Sequence, residues 1–125
     1  MRYLLLFLLL PSIVNAMCLK PTAIEGAVAD TITTGSAIYL HGLTEYNPAG
    51  FAGSTAIKVV ALWSAEGVSK EQQQSFNDKA GAIWGGAAMN NIASLVGAAN
   101  PVSIVIGIIS GIGFYNMSDC SKKDE

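Results

Sequence analysis

Asp30-Thr-Ile-Thr-Thr-Gly35 is followed by Gly42-Leu-Thr-Glu45-Tyr-Asn47-Pro48 and then by a mostly apolar run whose only charge is Lys58. Gly42 can end a helix in the left-handed conformation. Asn47-Pro48 can begin the next helix, because Asn caps free backbone amides and Pro has no N–H to lose. The stretch therefore predicts a helical hairpin in a membrane, with Asp30 and Lys58 paired near mid-depth.

The composition of the whole chain agrees with contact to lipid. Apolar residues make up 51% of the 125 residues and charged residues only 13%, whereas soluble domains carry about 25% charged residues. The length fits one domain. A net charge of −2 without a basic patch excludes nucleic acid as a partner. A soluble helical protein closed by a disulfide is the structural alternative.

The amino terminus has the pattern of a secretory signal peptide. A positive Met1-Arg2 start precedes an apolar core, and small residues precede a predicted cleavage after Ala16. Met17 stands where a lipid-attachment signal before Cys18 needs a small residue, which disfavours a lipoprotein. The predicted organisation is a signal peptide or first transmembrane helix over 1–16, a helical membrane domain over 17–118 and a polar tail over 119–125.

The fold prediction is an all-α membrane helical bundle with about four short transmembrane helices after the amino-terminal segment. Val68 to Asp78 is the one strongly hydrophilic stretch and is interpreted as a solvated loop or the start of a helix. A turn at 99–101 is required because one helix from Ala80 to Tyr115 would be about 54 Å long, far beyond a bilayer core of about 30 Å. The predicted helices cover 22–41, 47–66, 80–98 and 102–115.

Small residues recur at helical spacing and predict close helix packing. Asp30 shares a face with small and hydroxylated residues, and Gly81 with Gly85 and Gly107 with Gly111 repeat at four-residue spacing; a glycine stripe lining a pore is the alternative. Asn90 and Asn91 are predicted to form interhelical hydrogen bonds. Trp63 and Trp84 lie inside apolar runs and are predicted to pack in the core. The face of Asp30 comprises Gly26, Ala27, Thr33, Thr34 and Ala37.

Helix geometry places the two central charges at one depth. Asp30 lies eight residues from Thr22 and Lys58 lies eight residues from Glu66, so each is roughly 12 Å from the same membrane face. A lone charge in lipid costs at least about 2.5–3.5 kcal/mol, which favours pairing. The pair either fixes helix register or handles a proton or ligand. The candidate buried polar residues are Asp30, Lys58, Glu45, Asn47, Asn90 and Asn91.

The number of crossings predicts the topology. An even number of spans separates Cys18 from Cys120, so both cysteines fall on one side, together with Lys20 and the 67–79 segment. The signal sequence puts that side outside, where a Cys18–Cys120 disulfide can form. The lysines favour the opposite orientation, because positive loops prefer the cytoplasm. We predict a location in the bacterial inner membrane with both cysteines facing the periplasm or exterior; the alternative is a secreted or periplasmic protein.

These residues resemble the pattern of a family of small bacterial and archaeal multi-span integral membrane proteins of unknown function. The family pattern is Asp-x-x-Thr, then Gly-x-x-Glu-x-Asn-Pro, then Lys, and the likeness covers residues 24–62. Ala49 replaces the usual Leu after Asn-Pro. Trp84-Gly-Gly-Ala-Ala-Met-Asn90-Asn91 is similar to a stretch in small proteobacterial and phage-borne proteins. The resemblance implies a multi-span fold and no activity. The matching positions are Asp30, Thr33, Thr34, Gly42, Glu45, Asn47, Pro48 and Lys58.

The sequence predicts a non-enzymatic protein without catalytic residues, cofactor or metal. No nucleophile is paired with a base, and His41 with Glu45 makes only a weak two-ligand site, since Gly42 breaks the helix between them. The predicted role is structural, in envelope interaction or in assembly, with the lipid bilayer and a homo-oligomer or another membrane protein as partners. One alternative is a membrane-permeabilising or exclusion factor of holin-like, bacteriocin-like or superinfection-exclusion type. Another is an ion- or proton-handling protein or membrane enzyme that uses Asp30 and Lys58.

Overall fold

The computed structural model describes residues 19–43 and 49–118, which form four α-helices. The all-α prediction is confirmed for these residues. The segments 1–16 and 119–125 and both cysteines lie outside the described ranges, so the disulfide and the signal peptide stay predictions. The helices are α1 (Ala23–His41), α2 (Gly50–Glu66), α3 (Lys70–Leu95) and α4 (Asn100–Asn116).

Local signals set both ends of α1. Thr22 and Glu25 form a capping box, in which the Thr22 N–H donates to Glu25 Oε2 at 2.8 Å and the Glu25 N–H donates to Thr22 Oγ1 at 3.3 Å. Gly42 adopts φ +64°, and the Leu43 N–H then reaches Ala37 O at 3.0 Å. This left-handed termination needs glycine, because a Cβ there is strained. The predicted bounds of this helix are confirmed.

The hydrophilic stretch before Asp78 is helical, so its interpretation as a loop is wrong and its interpretation as a helix start is right. Ser69 and Gln72 form a second capping box, and α3 begins at Lys70. The Lys, Glu and Gln residues that follow are good helix formers, although they are also polar. The predicted start at 80 thus lies ten residues inside a helix that ends at Leu95, before the positive φ of Gly97.

The other two helices begin close to their predicted starts. The described part of α2 begins at Gly50, and Asn47-Pro48 falls in the undescribed 44–48 segment, so the cap there is a prediction. α4 begins at Asn100 with Pro in its first turn, as the turn at 99–101 predicts. Ala99 occupies its N-cap position, so the helix begins two residues before the predicted start at 102.

α3 is the central helix and packs against both α1 and α4. A Cβ on Gly26 of α1 would lie 3.0 Å from Gly81 O, and a Cβ on Gly86 would lie 2.6 Å from Gly107 O of α4. Glycine therefore allows the backbones of both helix pairs to touch. The predicted close packing at the glycine pairs is confirmed, and α3 runs parallel to α1 and antiparallel to α4.

The amino-terminal ends of α1 and α3 are joined by polar contacts. Lys20 Nζ lies 2.9 Å from Asp78 Oδ1, and the Ala23 N–H donates to Asn77 Oδ1 at 3.1 Å. Lys20 and the end of the hydrophilic stretch therefore lie together at one end of the bundle. The side of the membrane that this end would face stays a prediction.

α2 is attached to the bundle by few contacts. Lys58 is its only buried residue. Near the end of α1 and the start of α2, the rings of Tyr39 and Phe51 pack in a T-shaped arrangement with their centroids 5.7 Å apart. The position of α2 against α1 therefore depends largely on the groups that surround Lys58.

The buried residues of the described part are small apart from Asp30 and Lys58, and most of the large apolar side chains are exposed. Trp63, predicted to lie in the core, is 75% exposed, and that prediction is wrong; Trp84 is half-buried with Phe76 against its ring edge. α4 shows the pattern most clearly, because Ser103 and Gly107 are buried while its isoleucines are not. The buried apolar residues are Ala23, Ala27, Ala37, Ala80, Ala82, Ala88 and Ala93.

The helices differ in length: α1 has 19 residues, α2 and α4 have 17 each, and α3 has 26. None of these four described helices combines the length and the hydropathy expected of a membrane-crossing helix. The helical part of the fold prediction is confirmed, and the membrane-spanning part stays a prediction.

We expect the two substitutions Gly86→Ala and Gly113→Ala to change stability in opposite directions. Gly86 lies against the α4 backbone, and overpacking of this kind costs about 1–3 kcal/mol of unfolding free energy. A Cβ on Gly113 meets nothing within 4 Å, so alanine there should stabilise α4 by about 1 kcal/mol through helix propensity. Denaturant unfolding followed by circular dichroism measures both; equal effects would contradict the close α3–α4 contact.

Candidate functional site

The structure brings Asp30 of α1 and Lys58 of α2 together as a buried ion pair. Lys58 Nζ lies 2.7 Å from Asp30 Oδ2, and the two side chains are only 7% and 11% exposed. They meet because α1 and α2 are antiparallel and the two residues occupy matching positions in the hairpin, as the depth estimate from the sequence requires.

Asn91 of α3 completes the hydrogen bonding of the carboxylate. Its Nδ2 donates to Asp30 Oδ1 at 3.0 Å and to Thr34 Oγ1 at 2.8 Å. Thr33 Oγ1 is a third acceptor, 3.2 Å from the same nitrogen. The Thr34 hydroxyl in turn donates to Asp30 Oδ1 at 3.3 Å. The two carboxylate oxygens therefore have different partners, one held by Lys58 and the other by Asn91 and Thr34.

The ammonium group has a second partner on its own helix. Lys58 Nζ donates to Ser54 Oγ at 3.3 Å, one turn earlier in α2. Three helices thus contribute to one buried polar cluster. This polar cluster consists of Asp30, Thr33, Thr34, Ser54, Lys58 and Asn91.

Sequence reasoning identified the charges but not all of their partners. Thr34 and Ser54 were not among the candidate site residues, although each lies four residues from a charge, the spacing at which helical side chains meet. Asn91 belongs to the cluster. Asn90 does not, because it faces α4, where its Cβ lies against Gly107. The remaining candidates Glu45, Asn47, Cys18 and Cys120 lie outside the described residues.

The chemistry of the polar cluster is that of a satisfied ion pair. Both charges are desolvated, and pairing offsets that penalty only because the remaining lone pairs and protons also find partners. Within 19–43 and 49–118, no three His, Cys, Asp or Glu side chains lie close enough to hold a metal ion. The arrangement is suited to fixing the register of three helices.

Comparison of the chain with protein-family models, with curated proteins and with solved structures finds no match. The resemblance to small multi-span membrane proteins stays a prediction.

We expect Lys58→Met to lower the unfolding free energy by about 3–5 kcal/mol, because the Asp30 carboxylate would stay buried without its counter-charge. Adding Asp30→Asn should restore part of that loss, since the amide is neutral and can still accept from Asn91. Denaturant unfolding of both single variants and the double variant measures the coupling.

Lys70→Met is the matched control, because Lys70 is exposed at the first turn of α3 and its removal should change stability by less than about 1 kcal/mol. A double variant no more stable than Lys58→Met alone would show that the two charges do not depend on each other.

Proposed function

We propose that the protein is a small integral membrane protein with a non-catalytic role in structure or assembly, in which the polar cluster fixes the helix register. The observation that carries the proposal is the inverted distribution of side chains: the described interior is made of Ala, Gly and polar groups, and the large apolar residues face outward. Such a surface is suited to contact with lipid.

The outer surface of α4 supports contact with an apolar surrounding. Ile104, Ile108, Ile109 and Ile112 are each more than half exposed. In water, isoleucine is among the residues most often buried, and contiguous apolar patches of this kind mark contact with a partner or a membrane. An apolar medium removes the penalty of leaving these side chains outside the bundle.

The contacts between helices support the same proposal. In lipid, helices gain little from burying large apolar groups, so their interfaces favour small residues and hydrogen bonds. Gly26 against α3 and Gly86 against α4 follow this rule, and so does Asn91, which donates to α1. A buried ion pair also suits lipid, where an isolated charge is costly.

The helix lengths set a limit on how the bundle would sit in the bilayer. Helices of 17 residues are about 26 Å long, against a hydrocarbon core of about 30 Å. Short helices are accommodated by local thinning of the bilayer or by snorkelling of flanking residues. We therefore expect the bilayer to be locally thinner around this protein.

Membrane association is tested by alkaline carbonate extraction of cells expressing the full chain. We expect the protein to stay with the membrane pellet, and Ile109→Lys to release a large part of it, because a central lysine costs about 2.5–3.5 kcal/mol on insertion scales. Asn116→Lys is the control at the carboxyl end of the same helix, where a cation is favourable. Recovery of the wild-type protein in the soluble fraction without detergent would overturn the proposal.

Dye exclusion by the same cells distinguishes the structural role from the permeabilising alternative. Gly86, Gly107 and Gly111 are engaged in the contact between α3 and α4, so we expect the membranes to stay intact. Dye leakage that depends on expression of the chain would favour the permeabilising function instead.

A further inference from the structure

Two cavities meet beside α3 and α4. The first, the polar cavity, has a volume of about 470 Å³ and lies between α1, α3 and α4. The second, the apolar groove, has about 580 Å³ and follows α3 and α4. Asn90 and Ile104 belong to the walls of both. The polar cavity is bounded by Thr34, Asn90, Asn91, Ser94, Asn100 and Ser103, and the apolar groove by Ile83, Gly86, Ile104, Gly107, Ile108 and Ile112.

Asn90 carries a buried polar atom that calls for a partner. Its Oδ1 has no hydrogen bond to any part of the chain that the structure describes. Leaving a buried amide oxygen unsatisfied costs about 1–3 kcal/mol, so such groups are rare without a bound water, ion or ligand. A hydroxyl group suits this position for either orientation of the amide, because it both donates and accepts.

The wall of the polar cavity selects against a charged group. Its lining residues are amides, hydroxyls and apolar side chains, without an acid or a base. An ionised headgroup there would lose its hydration without meeting a counter-charge. A neutral group with hydroxyls, in contrast, finds hydrogen-bond partners in Asn90 and Ser94 and on Ser103, whose own hydroxyl donates to Asn100 O at 3.0 Å.

The apolar groove fits an extended hydrocarbon chain. Its floor is formed by Gly86, Gly107 and Gly111, and isoleucines form its sides. From Asn90 to Lys79, at its two ends along α3, the groove runs about 16 Å. A chain that begins beside Asn90 would therefore lie in the surface groove that runs over the contact between α3 and α4.

We propose that these two cavities form one binding site for a long-chain amphiphile with a neutral, hydroxyl-bearing headgroup, of which a monoacylglycerol is the simplest example. The headgroup occupies the polar cavity with its hydroxyls against Asn90, Ser94 and Ser103, and the chain occupies the apolar groove. The site lies within the contacts of α1, α3 and α4, and its test in vesicles rests on the proposed membrane role.

Photo-crosslinking tests the site in the full chain reconstituted in phosphatidylcholine vesicles. The probe is a monoacylglycerol with a twelve-carbon diazirine-bearing chain, and labelled residues are mapped by mass spectrometry. We expect labels on α3 and α4 along the apolar groove. Unlabelled 1-monolauroylglycerol should compete at least about tenfold better than lauric acid, whose carboxylate would lose its hydration in a cavity wall without a counter-charge.

Two variants separate the headgroup from the chain. Asn90→Leu removes the hydrogen-bond partner and should reduce labelling about fivefold to tenfold. Ala87→Phe fills the apolar groove and should abolish labelling, whereas Ala56→Phe on the exposed face of α2 should leave it unchanged. Circular dichroism of each variant confirms that it is folded.

Equal competition by lauric acid, or wild-type labelling of both Asn90→Leu and Ala87→Phe, would overturn this site. Labels spread over all outward-facing residues would show contact with bulk lipid alone and would also overturn it. Either result leaves the carbonate extraction unaffected, so failure of the binding site and failure of the proposed membrane role are distinguishable.

Discussion

The contact between Asp30 and Lys58 is the interaction on which the arrangement of the helices depends. α1, α3 and α4 touch through glycine backbones, but α2 has few other contacts and buries only Lys58. Asn91 connects the same carboxylate to the central helix. One ion pair and one amide therefore hold three helices in register. For α2, which has no such glycine contact with α3, the ion pair is the main buried contact.

The interior and the surface follow from one constraint, which is the close approach of backbones. Gly26 and Gly86 let α3 contact α1 and α4 directly, so the space between helices is too narrow for large side chains. The isoleucines of α4 are consequently placed outside. The same narrowness concentrates hydrogen-bonding groups at the few positions where the helices separate, and the polar cluster and the polar cavity lie there.

The sequence predicted those features that depend on local spacing. Thr22 and Gly42 mark the ends of α1, and the depth of Asp30 and Lys58 could be counted along two helices. Polarity did not predict the start of α3, because Lys70 and Gln72 are hydrophilic and are also good helix formers. The difference between Asn90 and Asn91 was also beyond the sequence: neighbours on a helix point about 100° apart, and only the packing of α3 decides which one faces Asp30.

The long separation in sequence between Asp30 and Asn91 has a consequence for biosynthesis. The hairpin of α1 and α2 leaves the ribosome first, since chains fold from the amino terminus during synthesis. At that stage its carboxylate has the lysine but not the amide, which lies 61 residues further on. The hairpin is thus an incomplete unit until α3 packs beside it, and a chain truncated before residue 91 would leave Asp30 without its amide partner.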